Sequence, residues 1–240
     1  MGSLLLWSPL LPSLRKREKY LYGSELRKFF KTAFIFYSLK KDTKLRNEIR
    51  HYILTHKRTS LTQFLRFIQE KTLTDKRELL EDISIPERVA LDDKGFRKRD
   101  LFIYDLKHNK LSFFGKVYTY EGIVELPFKT SHYERVKAAS HSYIEALIHA
   151  EYTLARGKGK IEDFYLELSS SVKAWDIPLR IGVWSQNPVS SRLFWFWADK
   201  EVRERVRKLY KIELRPYKLF YIPLENKTLG WSEVKYVRNV

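Results

Sequence analysis

The sequence predicts an α+β protein, with a basic helical N-terminal region followed by a mainly antiparallel β-sheet covered by two helices. Three observations carry this expectation. Apolar residues recur at helical spacing early in the chain, as in Leu26, Phe29, Phe30, Ala33, Phe34 and Tyr37. Short β-branched and aromatic runs punctuated by Gly, Asn and Asp dominate later. The 240 residues are 44% hydrophobic and 15% aromatic, which is enough to bury a sizeable core. The chain therefore divides into an N-terminal arm (1–23), a basic helical region (24–92) and an α+β sheet domain (93–240).

The arm opens with Leu4, Leu5, Leu6, Trp7, Leu10 and Leu11, and its charges Arg15, Lys16 and Arg17 come afterwards. A secretory signal has the reverse order, and here Pro9 and Pro12 interrupt the run. No stretch approaches the roughly 18 apolar residues of a spanning helix, so the expected protein is soluble and cytoplasmic. Leu4 to Leu11 is then free to dock on the body or on a protein partner.

Helices follow at 24–37, with Ser24 as N-cap, at Thr43 to His56 and at Ser60 to Lys71. A short one starts at Thr74 and ends near Ile83, ahead of Pro86. Past the turn Asp92-Asp93-Lys94-Gly95, the runs 101–104, 111–114 and 116–126 read as an antiparallel meander jointed at His108-Asn109 and Gly115. Ser131 to Arg156 is a long helix ended by Gly157 and Gly159. Phe164 to Leu168 alternates like a strand. Asp176 to Trp184 and Arg192 to Trp197 read as a hairpin about Ser185-Gln186-Asn187-Pro188. Asp199 to Lys211 is a basic helix, and Leu214 to Ile222 and Trp231 to Val237 are the last strands.

Charge points to the partner. The formal net charge is +17 and the pI about 9.8, a field that draws polyanions. Arg15 to Arg58 holds fourteen Lys or Arg against four acids, with tyrosines and histidines interleaved. Candidate nucleic-acid contacts are Arg15, Lys16, Arg17, Arg27, Lys28, Lys31, Lys40, Lys41, Arg50, Lys57 and Arg58. To these are added Lys158 and Lys160 of the Gly157-Lys158-Gly159-Lys160 turn, and Arg203 and Arg207 of the late helix. That turn lacks the spacing and terminal Ser or Thr of a P-loop.

Chemistry is less marked. With no Cys, disulfides, thiolate nucleophiles and Cys-ligated zinc are excluded. One Met and abundant Lys, Arg and Glu resemble the composition of heat-living microbes. Asp105-Leu106-Lys107, with Asp93 upstream, resembles the acid-x-Lys pattern of PD-(D/E)XK nucleases. That resemblance implies Mg²⁺ on Asp93 and Asp105, with Lys107 steadying water or phosphate. Asp42-Thr43-Lys44 and Glu233-Val234-Lys235 repeat the pattern elsewhere. His141, Glu145 and His149 recur every four residues, a spacing open to a metal and equally to a solvated face. Three helices and a hairpin resemble a winged helix in order, which would make 74–83 the recognition helix and 101–116 the wing. On a strand, Trp195 and Trp197 would share one face and offer unpaired bases a stacking platform.

The expected function is nucleic-acid binding, to DNA or RNA and mainly through phosphates, as a non-catalytic accessory subunit of a nucleoprotein complex without a cofactor. A metal-dependent nuclease and a winged-helix regulator are the alternatives.

Overall fold

In the computed structural model, which describes residues 2–14, 17–57, 59–185, 191–214 and 216–236, the chain folds around the helix α1 (Gly23–Lys41). Ala33, Phe34, Ile35 and Phe36 are four consecutive buried residues, and a helix apolar on so many sides belongs in an interior. It begins at Gly23, so Ser24 lies in the first turn and does not cap. Gly23 is needed because a Cβ there would collide with the Pro86 carbonyl oxygen.

Around it stand α2 (Thr43–Thr55), capped by the Asp42 carboxylate accepting from Leu45 N at 2.9 Å, and α3 (Leu61–Leu73), opened by a Ser60–Gln63 capping box. The expected short fourth helix is present as a 3₁₀ turn (Thr74–Lys76) followed by the six-residue α4 (Arg77–Asp82). A winged-helix recognition helix is longer than that, so this part of the resemblance is not met.

The strands, in chain order, are β1 (Gly2–Leu6), β2 (Tyr20–Tyr22), β3 (Arg88–Ala90), β4 (Phe96–Asp105), β5 (Lys110–Tyr120), β6 (Ile123–Leu126), β7 (Ile177–Arg180), β8 (Lys218–Ile222), β9 (Lys227–Thr228) and β10 (Trp231–Tyr236). All their pairings are antiparallel. One sheet has the order β6-β1-β10-β7 and another β5-β4-β8-β9, with β2-β3 as a small pair. The helices α5 (Tyr133–Ala155), α6 (Lys160–Ser171) and α7 (Lys200–Tyr210) complete the fold. α5 lies between α1 and β7, and α6 packs on α5. The mixed α+β architecture, with helices at the N-terminus and over antiparallel sheet, is the expected one.

Leu4, Leu10 and Leu11 are fully buried, with β1 inserted between β6 and β10, so this segment docks on the body, one of its two expected places, with Leu5, Leu6 and Trp7 half-buried. Three local expectations are corrected. Gly115 is not a turn, because β5 runs unbroken past it with a bulge opposite Leu101 and Phe102, and β6 departs to the other sheet. Phe164 to Leu168 is helical within α6, which buries Ile161, Phe164, Tyr165 and Leu168 at helical spacing. Arg192 to Trp197 is not a hairpin strand but lies in a 3₁₀ segment (Ser191–Ala198) that buries Leu193, Phe194 and Phe196; β7 pairs with β10 instead. The expected turn at Gln186-Asn187-Pro188 and the strand end at Val237 lie outside the described residues.

A buried ion pair locks the C-terminal elements together. Arg180 Nη1 donates to Glu151 Oε1 at 2.5 Å, and Arg180 Nε donates to the Leu229 carbonyl at 3.1 Å. The guanidinium lies 4.2 Å from the Trp184 ring and 4.1 Å from the Trp231 ring. Tyr165 hydroxyl donates to Glu151 Oε2 at 2.7 Å. Burial pushes the Glu151 carboxyl up, and Arg180 and the Tyr165 hydrogen bond pull against it. Gly230, at φ +87°, lets the chain pass beside Arg180, since a Cβ would meet the Ile181 carbonyl oxygen.

Removing one partner of a buried pair strands the other charge. Arg180→Ala should lower the unfolding free energy by about 3–5 kcal/mol in a denaturant titration, and Arg180→Met with Glu151→Leu should lose less than either single change.

Carboxylates at helix and strand junctions set the acid response. Hydrogen bonds from Thr130 and Ser131 hold Asp82 below the usual carboxylate range. Burial would raise Asp176, but donors Tyr133, Tyr236 N and Lys137 outweigh it, and Asp199 is held low against burial by Val202 N and Arg50. All three pKa values fall below the unfolded value of about 3.9, so their stabilisation is complete above that pH and is lost as pH drops through the folded values. The thermal midpoint should therefore fall between about pH 4 and pH 2, and Asp176→Asn should flatten that fall.

Candidate nucleic-acid interface

α1, α3 and α4 enclose an open groove of about 1020 Å³. Its walls carry Arg27, Lys28, Lys31, Arg66, Arg77 and Arg192, against the carboxylates Glu70 and Glu81. Arg66 is paired with Glu70 at 2.8 Å, and Arg27 donates to the Ile85 carbonyl at 2.8 Å. Lys28, Lys31, Arg77 and Arg192 form no ion pair among the described residues, although the Lys28 ammonium lies close enough to Glu25 to favour its carboxylate. Burial pushes the Arg192 guanidinium down with no counter-charge to offset it. Phe30, Leu73, Leu80 and Ile83 give the groove an apolar lining. Unpaired cations over an apolar base suit a polyanion that also has flat apolar parts.

Sequence spacing places Lys28 and Lys31 one turn apart on α1, which is why they share a wall. Arg66, Arg77 and Arg192 were not singled out. Arg66 and Arg77 sat in segments of mixed charge, and Arg192 lies more than a hundred residues away and joins the groove only in the fold.

Several expected contacts are occupied by other work. Arg17 pairs with Asp93 at 2.7 Å and lies over Phe96 at 4.5 Å. Arg50 of α2 bridges to Asp199 at 2.7 Å and to Glu201, clamping α7. Lys158 donates to the Leu106 carbonyl at 2.5 Å and to the Leu154 carbonyl, and burial pushes its pKa down, so it closes the end of α5. Arg203 donates to the Trp197 carbonyl at 2.9 Å, and Arg207 pairs with Glu213 at 3.2 Å. Lys40 donates to Ser142 at 3.3 Å, and Lys41 lies over Tyr37 at 5.6 Å. Lys57 and Lys160 are exposed, and Arg15, Lys16 and Arg58 lie outside the described residues.

The nuclease-like residues do not converge. Asp93 and Asp105 lie at opposite ends of the ten-residue β4, a span of about 30 Å at strand rise. Asp105 accepts from Lys107 N at 3.0 Å, His108 N at 3.1 Å and the His108 ring at 2.9 Å, so it closes the β4–β5 turn. Burial would raise its pKa, and these bonds hold it down. Lys107 lies over the Tyr217 ring at 5.8 Å.

His141 Nε2 sits 2.9 Å from the Trp175 carbonyl and 3.2 Å from that of Asp176, a donor position that takes this nitrogen out of metal ligation, and Nδ1 lies 3.7 Å from Glu145 Oε1. His149 faces Trp197 at 6.0 Å, and Glu145 is exposed. Among the described residues no three His, Asp or Glu gather to hold a metal. Trp195 packs 5.0 Å from Phe36 with Arg46 over its ring at 5.4 Å, and both Trp195 and Trp197 are partly buried, so neither is an open platform.

The geometry defines an α+β protein with a cationic helical groove. No family model matches the chain. A protein of Aquifex aeolicus (strain VF5), described as uncharacterized, is 43% identical over 237 residues, covering 97% of this chain and 98% of that protein. The chain belongs to the same family as this Aquifex protein. A chain in the solved "Cryo-EM structure of Csm-crRNA-target RNA ternary complex in type III-A CRISPR-Cas system" is similar in fold, with a TM-score of 0.58 and 12% identity over 90% of this chain and 72% of that one.

Because Lys31 and Arg77 form no ion pair among the described residues, Lys31→Glu with Arg77→Glu should leave the thermal midpoint unchanged, whereas Arg50→Ala, which unclamps α7, should lower it.

Proposed function

We propose that this protein binds RNA as an accessory subunit of a nucleoprotein complex, contacting the phosphate backbone through the groove between α1, α3 and α4. The observation that carries the reading is the set of four cations, Lys28, Lys31, Arg77 and Arg192, none of them in an ion pair among the described residues, over an apolar floor. Arg192 is the sharpest of them, since a half-buried guanidinium without a counter-ion is stabilised by an incoming anion. The fold it shares with a chain of an RNA-containing assembly supports RNA and a multi-protein setting. No described helix is long and apolar enough to cross a membrane.

Direct titration of labelled RNA at increasing salt tests this. Four phosphate contacts to a single strand predict that log K falls with log salt at a slope of about −3. Lys31→Glu with Arg77→Glu should weaken binding at least about tenfold and flatten that slope. Absence of binding at low salt, or binding indifferent to salt and to these charge reversals, would sink the reading.

A further inference from the structure

The sheet β5-β4-β8-β9 has one covered face, and its other face is closed at Phe96 and Tyr120 and over Leu219 and Tyr221 but open along the middle of β5. Leu101, Val117, Phe220 and Ile222 are buried on the covered side with Leu11 and Leu229. On the open side, the register sets Tyr118 against Lys98, Lys116 against Asp100, Phe113 against Phe102 and Leu111 against Tyr104. Phe113 is 57% exposed, Leu111 44% and Tyr118 42%. Phe102 stands edge-on to Phe113 at 5.3 Å, which props that ring outward. Between the two rings stands Lys116, 3.9 Å from Asp100, while Lys98 lies across from Tyr118 with no ion pair among the described residues, and exposed Lys110 lies beyond Phe113.

Exposed aromatics of this kind fit either a protein or unpaired bases, and the lysines decide between them. The buried centre of a protein interface is depleted in Lys. A surface that alternates rings and ammonium groups at strand spacing matches a chain alternating flat bases and phosphates. In a duplex the base faces are already stacked on each other, so only an unpaired strand has them to offer.

We infer that the open face of β4 and β5 stacks unpaired bases on Phe113 and Tyr118, with Lys98 and Lys116 at the phosphates, and that the nucleic acid this protein holds is single-stranded there. This rests on the proposed RNA binding and adds a second surface, on a sheet and apart from the helical groove.

The test compares an intact single-stranded oligoribonucleotide, an abasic strand of equal length and a duplex, each titrated against the full chain. Wild type should prefer the intact strand over the abasic one by about tenfold or more. Phe113→Ala with Tyr118→Ala should erase that preference while the abasic affinity and the salt slope stay as they were, and Phe113→Trp should keep it. Both side chains are exposed, so an unchanged thermal midpoint confirms that the double variant is folded. Equal affinity of wild type for intact and abasic strands overturns the inference and leaves the groove standing. So does a preference that survives in the double variant, or loss of a protein contact without change in strand binding. Failure of every strand to bind at low salt removes the groove reading as well.

Discussion

The Arg180–Glu151 pair is the constraint on which the C-terminal half depends. It joins α5, β7 and the turn before β10 at one point, and its guanidinium is enclosed by Trp184 and Trp231. Two charges taken out of water are favourable only when their remaining donors and acceptors are met; Tyr165 and the Leu229 carbonyl meet some of them, and Arg180 Nη2 is buried with no hydrogen-bond partner among the described residues, the guanidinium lying against the two indole rings. The Trp231 indole is itself fixed by donating to Thr228 at 2.8 Å. The arrangement therefore specifies one packing of strands and helices, where an all-apolar core of the same size would accept several. It also explains why the tryptophans, which look in the sequence like a recognition surface, serve chiefly as walls.

The net charge of +17 is spread unevenly in its effect. Arg17, Arg50, Arg99, Arg180 and Arg207 are neutralised by acids and act as struts. Among the cations without an ion pair, Lys28, Lys31, Arg77 and Arg192 line the groove and Lys98 and Lys110 lie on β4 and β5. A protein of this composition repels its own copies and is drawn to polyanions at long range, while the local distribution decides where contact is made.

Much of the fold was legible in periodicity. α1, α2, α3, α5 and α7 followed their apolar stripes, because each stripe is long enough to separate a period of 3.6 from one of 2. α6 was misread because Asp163, Tyr165 and Glu167 alternate with Phe164, Leu166 and Leu168, although Ile161, Phe164, Tyr165 and Leu168 carry the helical spacing just as well. Residues 191–198 were misread for another reason, since aromatic β-propensity was overruled by burial against α1 and α5. The candidate site was half legible. A run of cations is visible in the sequence, but whether Lys31 is free and Arg50 taken depends on acids such as Asp199, distant in the chain. Arg192 enters the groove only through tertiary packing.

β1 pairs on one side with β6 and on the other with β10, roughly 230 residues further along. Contacts of such range are closed late and slowly, because a long loop must be ordered before any contact rewards it. During synthesis β1 can pair with β6 once Ile123–Leu126 has emerged, but its other edge stays open until Trp231–Tyr236 follows, so a newly made chain carries a half-paired apolar strand over roughly a hundred residues of elongation. The same central strand that seals the finished core is thus the segment most in need of protection before the protein is complete.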